Sequence, residues 1–378
     1  MLITVLLLLC FGLAVLFASV LNGWRETVAQ AVRDADAPPS LEAAPSVAHI
    51  VPVRDGADTI VPLLQDLYVQ EHPQRPVHVI VVDDGSTDGT AEKVRAMMPR
   101  WPGLRRLPSA GEGKKAAITT GVNAAETEWI VLSDADTRCG PERLRLLLAC
   151  AQRAQADMIL LPVATDGEGS LGRVQVNEQA ALMMCAMAGA LQGRPLLANG
   201  ANMAFRRSAF LEVGGYEGDR YASGDDLFLL RRMVRAGKRV AALPHPGVVV
   251  RTEAERTVRG FLRQRLRWAG KMRGVPWSAK ALPALALLFP WGLLTLTFGI
   301  DWPALVGHNF LMRALLLAGT WALWLAAVPA LLRDGKRILG QRYSLPGALL
   351  SWLAFTVYAP VIALLALVVR PVWKGRRV

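Results

Sequence analysis

Long apolar stretches lie at both ends of this chain, and the segment between them has the mixed pattern of a globular domain. The stretches cover 1–22, 281–300, 314–332 and 346–369. A helix needs about 20 apolar residues to cross the core of a bilayer, and each stretch is close to that length. The pattern therefore predicts one N-terminal transmembrane anchor and about three transmembrane helices within 281–369.

Between the apolar ends, short β-rich runs alternate with segments of helical pattern. The candidate strands are Val47–Val53, Val77–Val82, Leu104–Leu107, Trp129–Ser133 and Met158–Val163. The candidate helices are 58–70, 88–98, 114–125, 141–154 and 172–191. Strands that alternate with helices of this length form βαβ units around a mostly parallel sheet. The sequence therefore predicts an α/β domain over 46–256 with a Rossmann-like, mixed, mostly parallel sheet.

Three other segments complete the predicted organisation. Residues 23–45 contain several prolines among Ala, Asp and Glu, which predicts a linker from the anchor to the domain. Residues 257–280 predict an amphipathic helix at the membrane surface, and 370–378 form a basic tail. The first apolar stretch has no Lys or Arg before it and exceeds the usual signal-peptide core of about 7–15 residues, so it predicts a retained anchor.

Much of the net charge of +12 lies beside the predicted membrane helices, because Lys and Arg cluster within 251–273. A basic run beside a membrane helix is a cytoplasmic retention signal and attracts anionic lipid headgroups. No nucleic-acid-binding motif accompanies it. We therefore expect an integral protein of a bacterial-type inner or plasma membrane, with a cytoplasmic domain and no nucleic-acid partner. Alternating spans put the basic tail outside against the same rule, so either the tail is an exception or the segment with Pro360 turns back without crossing.

Paired carboxylates follow two of the predicted strands, where open α/β sheets bind their ligands. Asp134 and Asp136 form an Asp-x-Asp directly after Trp129–Ser133. Two carboxylates at this spacing in a turn can share a hard cation such as Mg²⁺ or Mn²⁺. Asp83 and Asp84 precede a glycine after another strand, where a carboxylate can accept a hydrogen bond from a nucleobase N–H. Ordinary turn and capping chemistry is the alternative for this pair.

A second set of charged residues lies further along the chain. Asp225 and Asp226 start a predicted helix, where carboxylates either cap the helix or accept a proton from a hydroxyl group, and we interpret Asp226 as a general base. Lys114 either reaches a diphosphate or forms a solvated helix start. Arg267 can bind phosphate oxygens with its guanidinium fork, and Trp268 can stack on a sugar ring. The neighbouring arginines are expected to face lipid headgroups: Arg263, Arg265 and Arg273.

These motifs occur in the order DDGSTDGT, GEGKKAAITTG, SDAD, ANGANMAFRRSAFLEVGGY, SGDD and QRLRW. That order resembles membrane-bound glycosyltransferase family 2 over about 47–275. The resemblance implies a GT-A fold, a nucleotide-activated sugar as donor, Mg²⁺ or Mn²⁺ as cofactor, and inversion of the anomeric centre. It also implies that Asp84 contacts the base, Asp134 lies on the ribose side, Asp136 binds the metal and Asp226 is the general base.

The remaining site residues are assigned by the same resemblance. Gln264, Arg267 and Trp268 match the Q-x-x-R-W motif that lies by the diphosphate and acceptor in cellulose-synthase-like and ceramide-glucosyltransferase-like relatives. The nucleotide-sugar site is expected to include Pro52, Asp83, Asp84, Lys114, Asp134 and Arg267. The acceptor and diphosphate side is expected to include Asp225, Gln264, Arg265 and Trp268, and the metal ligands are Asp136 and Asp134.

The function expected on this basis is transfer of one sugar, from a UDP-sugar by family analogy, to a membrane lipid or lipid-linked acceptor. The alternative is a processive polysaccharide synthase. Against it, only about three predicted spans follow the domain, and Gly224-Asp225-Asp226 stands where polymer synthases usually carry Thr-Glu-Asp. A non-catalytic membrane scaffold is disfavoured because every proposed catalytic side chain is present.

Overall fold

A computed structural model describes residues 2–35, 45–72, 77–219, 224–271, 277–299 and 310–369, together with 372–373 and 376–377. The helices are α1 Leu2–Ala35, α2 Ile60–Tyr68, α3 Thr90–Met97, α4 Lys114–Ala124, α5 Arg143–Ala154, α6 Gly169–Leu191, α7 Arg207–Glu212, α8 Asp225–Arg235, α9 Val258–Lys271, α10 Trp277–Phe298, α11 Phe310–Ile338 and α12 Leu345–Val368. The strands are β1 Val47–Val53, β2 His78–Asp83, β3 Leu104–Pro108, β4 Trp129–Ser133, β5 Arg138–Cys139, β6 Met158–Leu160, β7 Val163–Asp166, β8 Asn202–Arg206, β9 Val240–Ala242, β10 Val250–Glu253, β11 Val372–Trp373 and β12 Arg376–Arg377. Each helix predicted between 46 and 256 is present, and β1 and β4 have their predicted bounds.

The central sheet is mixed and mostly parallel, as predicted. Its seven strands lie in the order β3-β2-β1-β4-β8-β6-β9. β1 pairs in parallel with β2 and β4, and β2 with β3, whereas β8 lies antiparallel to β4 and β6. A second sheet has the order β5-β10-β7. Because β1, β2 and β4 are parallel, their carboxyl ends meet at one edge of the central sheet, which is where the acidic motifs follow.

Apolar side chains cover both faces of the central sheet. On β2, Ile80 and Val82 belong to one core with α4 and α6, while Val79 and Val81 belong to another with α2 and α5. A strand that is apolar on both sides is the pattern of a covered parallel strand. The methionines of α6, such as Met183, lie in the first core and are packing residues.

The predicted strand Met158–Val163 is wrong in its extent. β6 ends at Leu160, and Val163 begins β7 in the second sheet. Pro162 has no amide hydrogen to donate to a strand partner, and its carbonyl accepts a hydrogen bond from Asn202 Nδ2 at 2.7 Å. The chain therefore leaves the central sheet just before this proline.

The predicted linker is also wrong over its first part, because α1 continues to Ala35 as one helix. Trp24, Val28 and Val32 recur at the spacing of one helical turn and pack against α6 and α11. This apolar stripe extends the helix beyond the predicted anchor. The rest of the predicted linker, 36–44, lies outside the described residues.

Within the described part of the chain, α1, α11 and α12 are long and apolar enough to cross a membrane. α10 contributes a shorter apolar stretch, Leu287–Phe298. The N-terminal span and two of the three predicted C-terminal spans are therefore present as such helices. The segment 300–309 and most of the basic tail lie outside the described residues.

α6 joins the domain to the membrane helices. Asn177 Nδ2 of α6 donates to Ser351 Oγ at 2.7 Å and to the Gly347 carbonyl of α12 at 3.1 Å. A Cβ atom on Gly335 of α11 would lie 2.3 Å from the Ala180 carbonyl oxygen of α6, so only glycine allows this approach. α6 is therefore both a core helix and the platform on which α11 and α12 pack.

Candidate active site

Several of the predicted site residues lie at the carboxyl edge of the central sheet. Asp83 is the last residue of β2, Asp134 directly follows β4, and Pro52 lies near the end of β1. Because ligands bind beyond the carboxyl ends of strands in open α/β sheets, this edge is the candidate site. Asp225 and Asp226 are the first residues of α8, which reaches the same edge through the contacts of Lys114.

Lys114 joins two of the acidic motifs. It is the first residue of α4, and its Nζ lies 2.7 Å from Asp134 Oδ1 and 3.0 Å from Asp225 Oδ2. Burial acts to lower the pKa of Lys114, but the two carboxylates outweigh this effect and raise the pKa above its ordinary value. The ammonium group therefore stays charged at neutral pH and holds the Asp-x-Asp turn close to the start of α8.

Gly200 leaves the space in which this lysine and its partners meet. A Cβ atom at Gly200 would lie 2.4 Å from Asp225 Oδ2 and 3.1 Å from Lys114 Nζ. The first distance is shorter than any real contact of a Cβ atom, and the atom met is a buried carboxylate oxygen. The small polar stretch around Gly200 thus lines the acidic site.

Asn202, in the same stretch, has a different function. Its Oδ1 accepts from Nε and Nη2 of Arg143, at 3.0 and 2.8 Å, and both side chains are fully buried. Its Nδ2 donates to the Pro162 and Val248 carbonyls at 2.7 and 2.9 Å. Asn202 therefore fixes the strands behind the site, and its polar atoms are turned to the protein.

The two neighbouring aspartates of the first motif have different surroundings. Asp83 is buried, and it accepts from the Ser86 amide at 2.9 Å and from Arg106 Nη1 at 3.1 Å. Asp84 Oδ1 accepts from the Gly113 amide at 2.9 Å, and Arg54 Nη1 lies 3.8 Å from Asp84 Oδ2. Asp83 thus holds the turn, while Asp84 links that turn to the start of α4, beside Lys114.

Asp226 is buried beside Asp225 at the start of α8. Its Oδ1 accepts from the Leu227 amide at 2.7 Å, and its Oδ2 lies 3.4 Å from the Gly200 amide. Asp226 therefore contacts one backbone amide at the start of α8 and lies near another in the acidic site. Lys114 contacts the neighbouring carboxylates, those of Asp225 and Asp134.

α9 brings the Q-x-x-R-W motif to the acidic site. Burial lowers the pKa of Arg267, and the carboxylates of Asp134, Asp225, Asp226 and Glu255 act in the opposite direction, which places the guanidinium within electrostatic reach of the cluster. Two positions that are 133 residues apart along the chain, 134 and 267, thus contribute opposite charges to one site. The function of this motif beside the Asp-x-Asp turn stays a prediction.

The interpretation that Arg265 faces lipid headgroups is wrong. Arg265 is 5% exposed, and its guanidinium forms an ion pair with Glu178 of α6. Arg263, on the same helix, is exposed as expected, whereas Arg273 lies outside the described residues. The spacing of residues along an amphipathic helix does not show which of several arginines forms an ion pair with an acid on another helix.

Residues 44–271, more than half of the chain, match the sequence profile described as glycosyltransferase like family 2. The chain belongs to glycosyltransferase family 2. The domain that carries the acidic site of this family 2 protein is therefore a glycosyltransferase domain, as its motif order predicts.

Three curated proteins show what this family 2 protein is similar to. The succinoglycan biosynthesis protein ExoO of Rhizobium meliloti is 29% identical over 56% of this chain and 62% of its own length. The N-acetylglucosaminyl-diphospho-decaprenol L-rhamnosyltransferase of Mycobacterium tuberculosis is 27% identical over 43% and 63%. The poly-beta-1,6-N-acetyl-D-glucosamine synthase of Staphylococcus aureus is 23% identical over 56% and 51%. The chain thus spans less than two thirds of the length of each.

A solved structure agrees on the fold of this family 2 protein. The mannosyltransferase PcManGT of Pyrobaculum calidifontis, in complex with GDP-Man and Mn²⁺, is similar with a TM-score of 0.52 and 22% identity. The similarity covers 93% of this chain and 99% of that one. The predicted GT-A fold, with its mostly parallel sheet, is confirmed.

The Asp-x-Asp turn supplies the oxygen ligands of a candidate cation site. Asp134 is 33% exposed and Asp136 is exposed, so both carboxylates are open to solvent at the sheet edge. Carboxylate oxygens are the ligands that Mg²⁺ prefers in proteins. Among the described residues, no group of three or more His, Cys, Asp or Glu side chains is placed to hold a metal ion. The assignment of Asp134 and Asp136 as metal ligands therefore stays a prediction.

Two residues near the site are missing from the predicted site. Glu255 Oε1 lies 3.5 Å from Gln264 Nε2, and Glu255 is one of the acids that act on Arg267. Tyr216 is buried, and burial together with Asp225 and other nearby acids raises its pKa well above the ordinary value, so its hydroxyl stays protonated. An isolated acid among arginines and a tyrosine after two glycines give no chemical signal in the sequence.

A second group of charges surrounds Asp219. Lys115 Nζ lies 3.0 Å from Asp219 Oδ2, and Arg232 Nη2 lies 2.9 Å from Asp219 Oδ1. The ammonium group of Lys115 also lies 4.8 Å from the ring centroid of Phe228. The two successive lysines of α4 therefore point to different carboxylates, Lys114 into the acidic site and Lys115 beside it.

Proposed function

We propose that this protein transfers a sugar from a nucleotide-sugar, specifically a UDP-sugar, to a membrane lipid or lipid-linked acceptor with inversion at the anomeric carbon. The observation that carries the proposal is Lys114 held between Asp134 and Asp225, next to the buried Asp226, at the sheet edge of a domain joined to long apolar helices. Cations beside a buried carboxylate suit a reaction in which a diphosphate leaves as a hydroxyl group is deprotonated.

Asp226 is the general base in this proposal. Asp134 and Asp225 each lie within 3.0 Å of Lys114 Nζ, so we assign these two carboxylates to holding the cation and the neighbouring Asp226 to the proton. The acceptor hydroxyl oxygen bonds to the anomeric carbon, the bond from that carbon to the diphosphate oxygen breaks, and the hydroxyl proton passes to Asp226. One displacement inverts the configuration, and no covalent enzyme intermediate is needed.

Lys114 and Arg267 receive the charge that develops on the leaving diphosphate. Lys114 is fixed between two carboxylates before the reaction, so little reorganisation is needed as the negative charge builds. Asp136 and Asp134 would hold Mg²⁺ or Mn²⁺, which supplies further neutralisation of the diphosphate charge. Asp84, linked to α4 through the Gly113 amide, is the residue that we assign to the nucleobase.

The acceptor is proposed to be membrane-bound because α9, which carries Gln264 and Trp268, packs against α12. The ring centroids of Phe261 in α9 and Tyr358 in α12 lie 5.0 Å apart. The relative from Mycobacterium tuberculosis is named for a diphospho-decaprenol acceptor, which supports an acceptor of this class. We place the domain on the cytoplasmic side, where nucleotide-sugars are available and where the basic residues of α9 favour its retention.

The mutation Asp226→Asn tests the base. We expect transfer of labelled sugar in isolated membranes to fall by about 10²–10⁴-fold, the usual contribution of a general base, while nucleotide binding persists. Asp157→Asn is the matched control, because the Asp157 carboxylate lies away from the site and accepts from the Arg239 amide at 2.9 Å. Turnover of the Asp226→Asn variant equal to that of the wild type would remove Asp226 from the mechanism.

A further inference from the structure

Arg265 is enclosed by other side chains, whereas other arginines of α9 are exposed to solvent. Its side chain is 6% exposed and that of its ion-pair partner Glu178 is 13% exposed. The guanidinium carbon lies 4.4 Å from the ring centroid of Phe261 and 4.5 Å from that of Trp268. Both rings are on the same helix as Arg265, four residues before it and three after it, so the cation is held between two aromatic side chains.

The same guanidinium also reaches Gln264. Arg265 Nη1 donates to Gln264 Oε1, while Gln264 Nε2 lies 3.5 Å from Glu255 Oε1. Arg265 thus contacts two of the three residues of the Q-x-x-R-W motif, Gln264 through a hydrogen bond and Trp268 through its ring. The third residue of the motif, Arg267, lies within electrostatic reach of the acidic site.

The acid that holds Arg265 lies at the junction with the membrane helices. Glu178 is the neighbour of Asn177, which donates to Ser351 Oγ of α12, and it lies two residues from Ala180, which meets α11 at backbone distance. One turn of α6 therefore contacts α9, α11 and α12. The orientation of α9 is linked through Glu178 to the part of α6 that is fixed against the membrane.

We propose that the Glu178–Arg265 pair is a positioning device that sets the acceptor side of the site by fixing Gln264 and Trp268. Arg265 acts through these two side chains and does not itself contact the diphosphate. This inference rests on the proposed function in taking Gln264 and Trp268 as acceptor-side residues. It makes the pair a determinant of acceptor use, whereas donor binding depends on Lys114 and the strand ends.

A buried ion pair is a weak source of stability, because desolvation of both charges offsets their attraction. Replacing such a pair by apolar side chains of similar volume is often neutral or stabilising, whereas removing one partner leaves an uncompensated buried charge. The double variant Glu178→Leu with Arg265→Met therefore keeps the fold and removes the hydrogen bond to Gln264. It separates a positioning function from a purely structural one.

The experiment measures steady-state transfer by full-length protein in vesicles, varying the donor and the acceptor separately. We expect the double variant to lose about 10- to 100-fold in kcat/KM for the acceptor, the cost of a small misplacement of substrate-contacting groups. Its KM for the donor and its thermal unfolding temperature stay close to those of the wild type. Arg263→Met is the matched control, because it removes an exposed arginine from the same helix and leaves both parameters unchanged.

Three results would overturn the inference. One is acceptor kinetics of the double variant equal to those of the wild type, since the polar contact to Gln264 would then be dispensable. Another is a change in KM for the donor alone, which would assign Arg265 to the nucleotide side. The third is an equal acceptor defect in the Arg263→Met variant. Failure of the proposed function is distinguishable, because the wild-type protein itself would then transfer no sugar to the lipid acceptor.

Discussion

Replacing Lys114 by methionine tests the electrostatic centre of the site. The substitution keeps an unbranched side chain as far as the Cε position and removes the ammonium group that lies 2.7 Å from Asp134 Oδ1 and 3.0 Å from Asp225 Oδ2. Two carboxylates then face each other without the cation between them. The variant is therefore expected to lower both the free energy of unfolding and kcat, and the structure gives a magnitude for each loss.

The stability cost comes mainly from Asp225. Removing one partner of a buried ion pair costs about 3–5 kcal/mol, and Asp225 is buried. Asp134 is 33% exposed, so water replaces most of what it loses, and an exposed pair contributes only about 0–1 kcal/mol. We expect a loss of about 3–6 kcal/mol in all. For catalysis, removal of one preorganised group that stabilises the leaving charge lowers kcat by about 10²–10³-fold.

Lys115→Met is the matched control for this prediction. Lys115 is the next residue of α4 and also forms an ion pair, but its partner Asp219 keeps the second cation Arg232 at 2.9 Å. We expect the control to lose less stability and to retain most of its turnover. Thermal unfolding followed by tryptophan fluorescence and radiolabelled sugar transfer in vesicles give the two readouts. Equal kcat for the Lys114→Met variant and the wild type would refute the assignment of Lys114 to the diphosphate.

The remaining predictions concern the geometry, the cation and the turn beside the site. Gly200→Ala places a Cβ atom 2.4 Å from a carboxylate oxygen, so it should cost about 1–3 kcal/mol and slow transfer, whereas Gly140→Ala, with open space around the new Cβ, should do neither. Asp136→Asn should raise the Mn²⁺ concentration that gives half-maximal transfer, and an unchanged requirement would argue against this ligand. Hydrogen bonds from Thr90 and from the Ala57 amide lower the pKa of Asp88 from 3.8 to about 2, so its stabilisation of the turn is present above about pH 4 and lost as the pH falls toward 2. The protection of the Ala57 amide hydrogen against exchange, taken relative to its intrinsic rate at each pH, should fall in that range in the wild type but not in the Asp88→Asn variant.

The sheet and its ligand edge could be predicted from the sequence because they depend on local pattern. Val79–Val82 is apolar on both faces, which requires a covered parallel strand, and Asp83 and Asp134 follow strands whose carboxyl ends meet. The order of the motifs then identified the family. The strand pattern and the acidic residues that follow each strand depend on spacing over a few positions, and this spacing can be read directly from a single sequence.

The partners of individual charges could not be predicted, because they depend on contacts between distant segments. Arg265 and Glu178 are 87 residues apart, and several acids and arginines have similar local surroundings in the sequence. The continuation of α1 beyond the predicted anchor could not be predicted for the same reason. Trp24 and Val28 belong to an apolar stripe that stabilises the helix only when it packs against α6 and α11. Lys114 had two open interpretations until the positions of Asp134 and Asp225 were known.

The central claim is that the acidic site transfers sugar from a nucleotide-sugar to a membrane acceptor. The most direct measurement is to incubate membranes that contain the protein with a panel of radiolabelled nucleotide-sugars and Mn²⁺, and then to partition the products between organic and aqueous phases. We predict that label from a UDP-sugar enters the organic phase with the wild-type protein. With the Asp226→Asn variant, the label in the organic phase stays at background level. Label in water-soluble material of high mass would contradict single transfer and establish a polysaccharide synthase. If no labelled product formed in either phase from any donor, the claim itself would be contradicted.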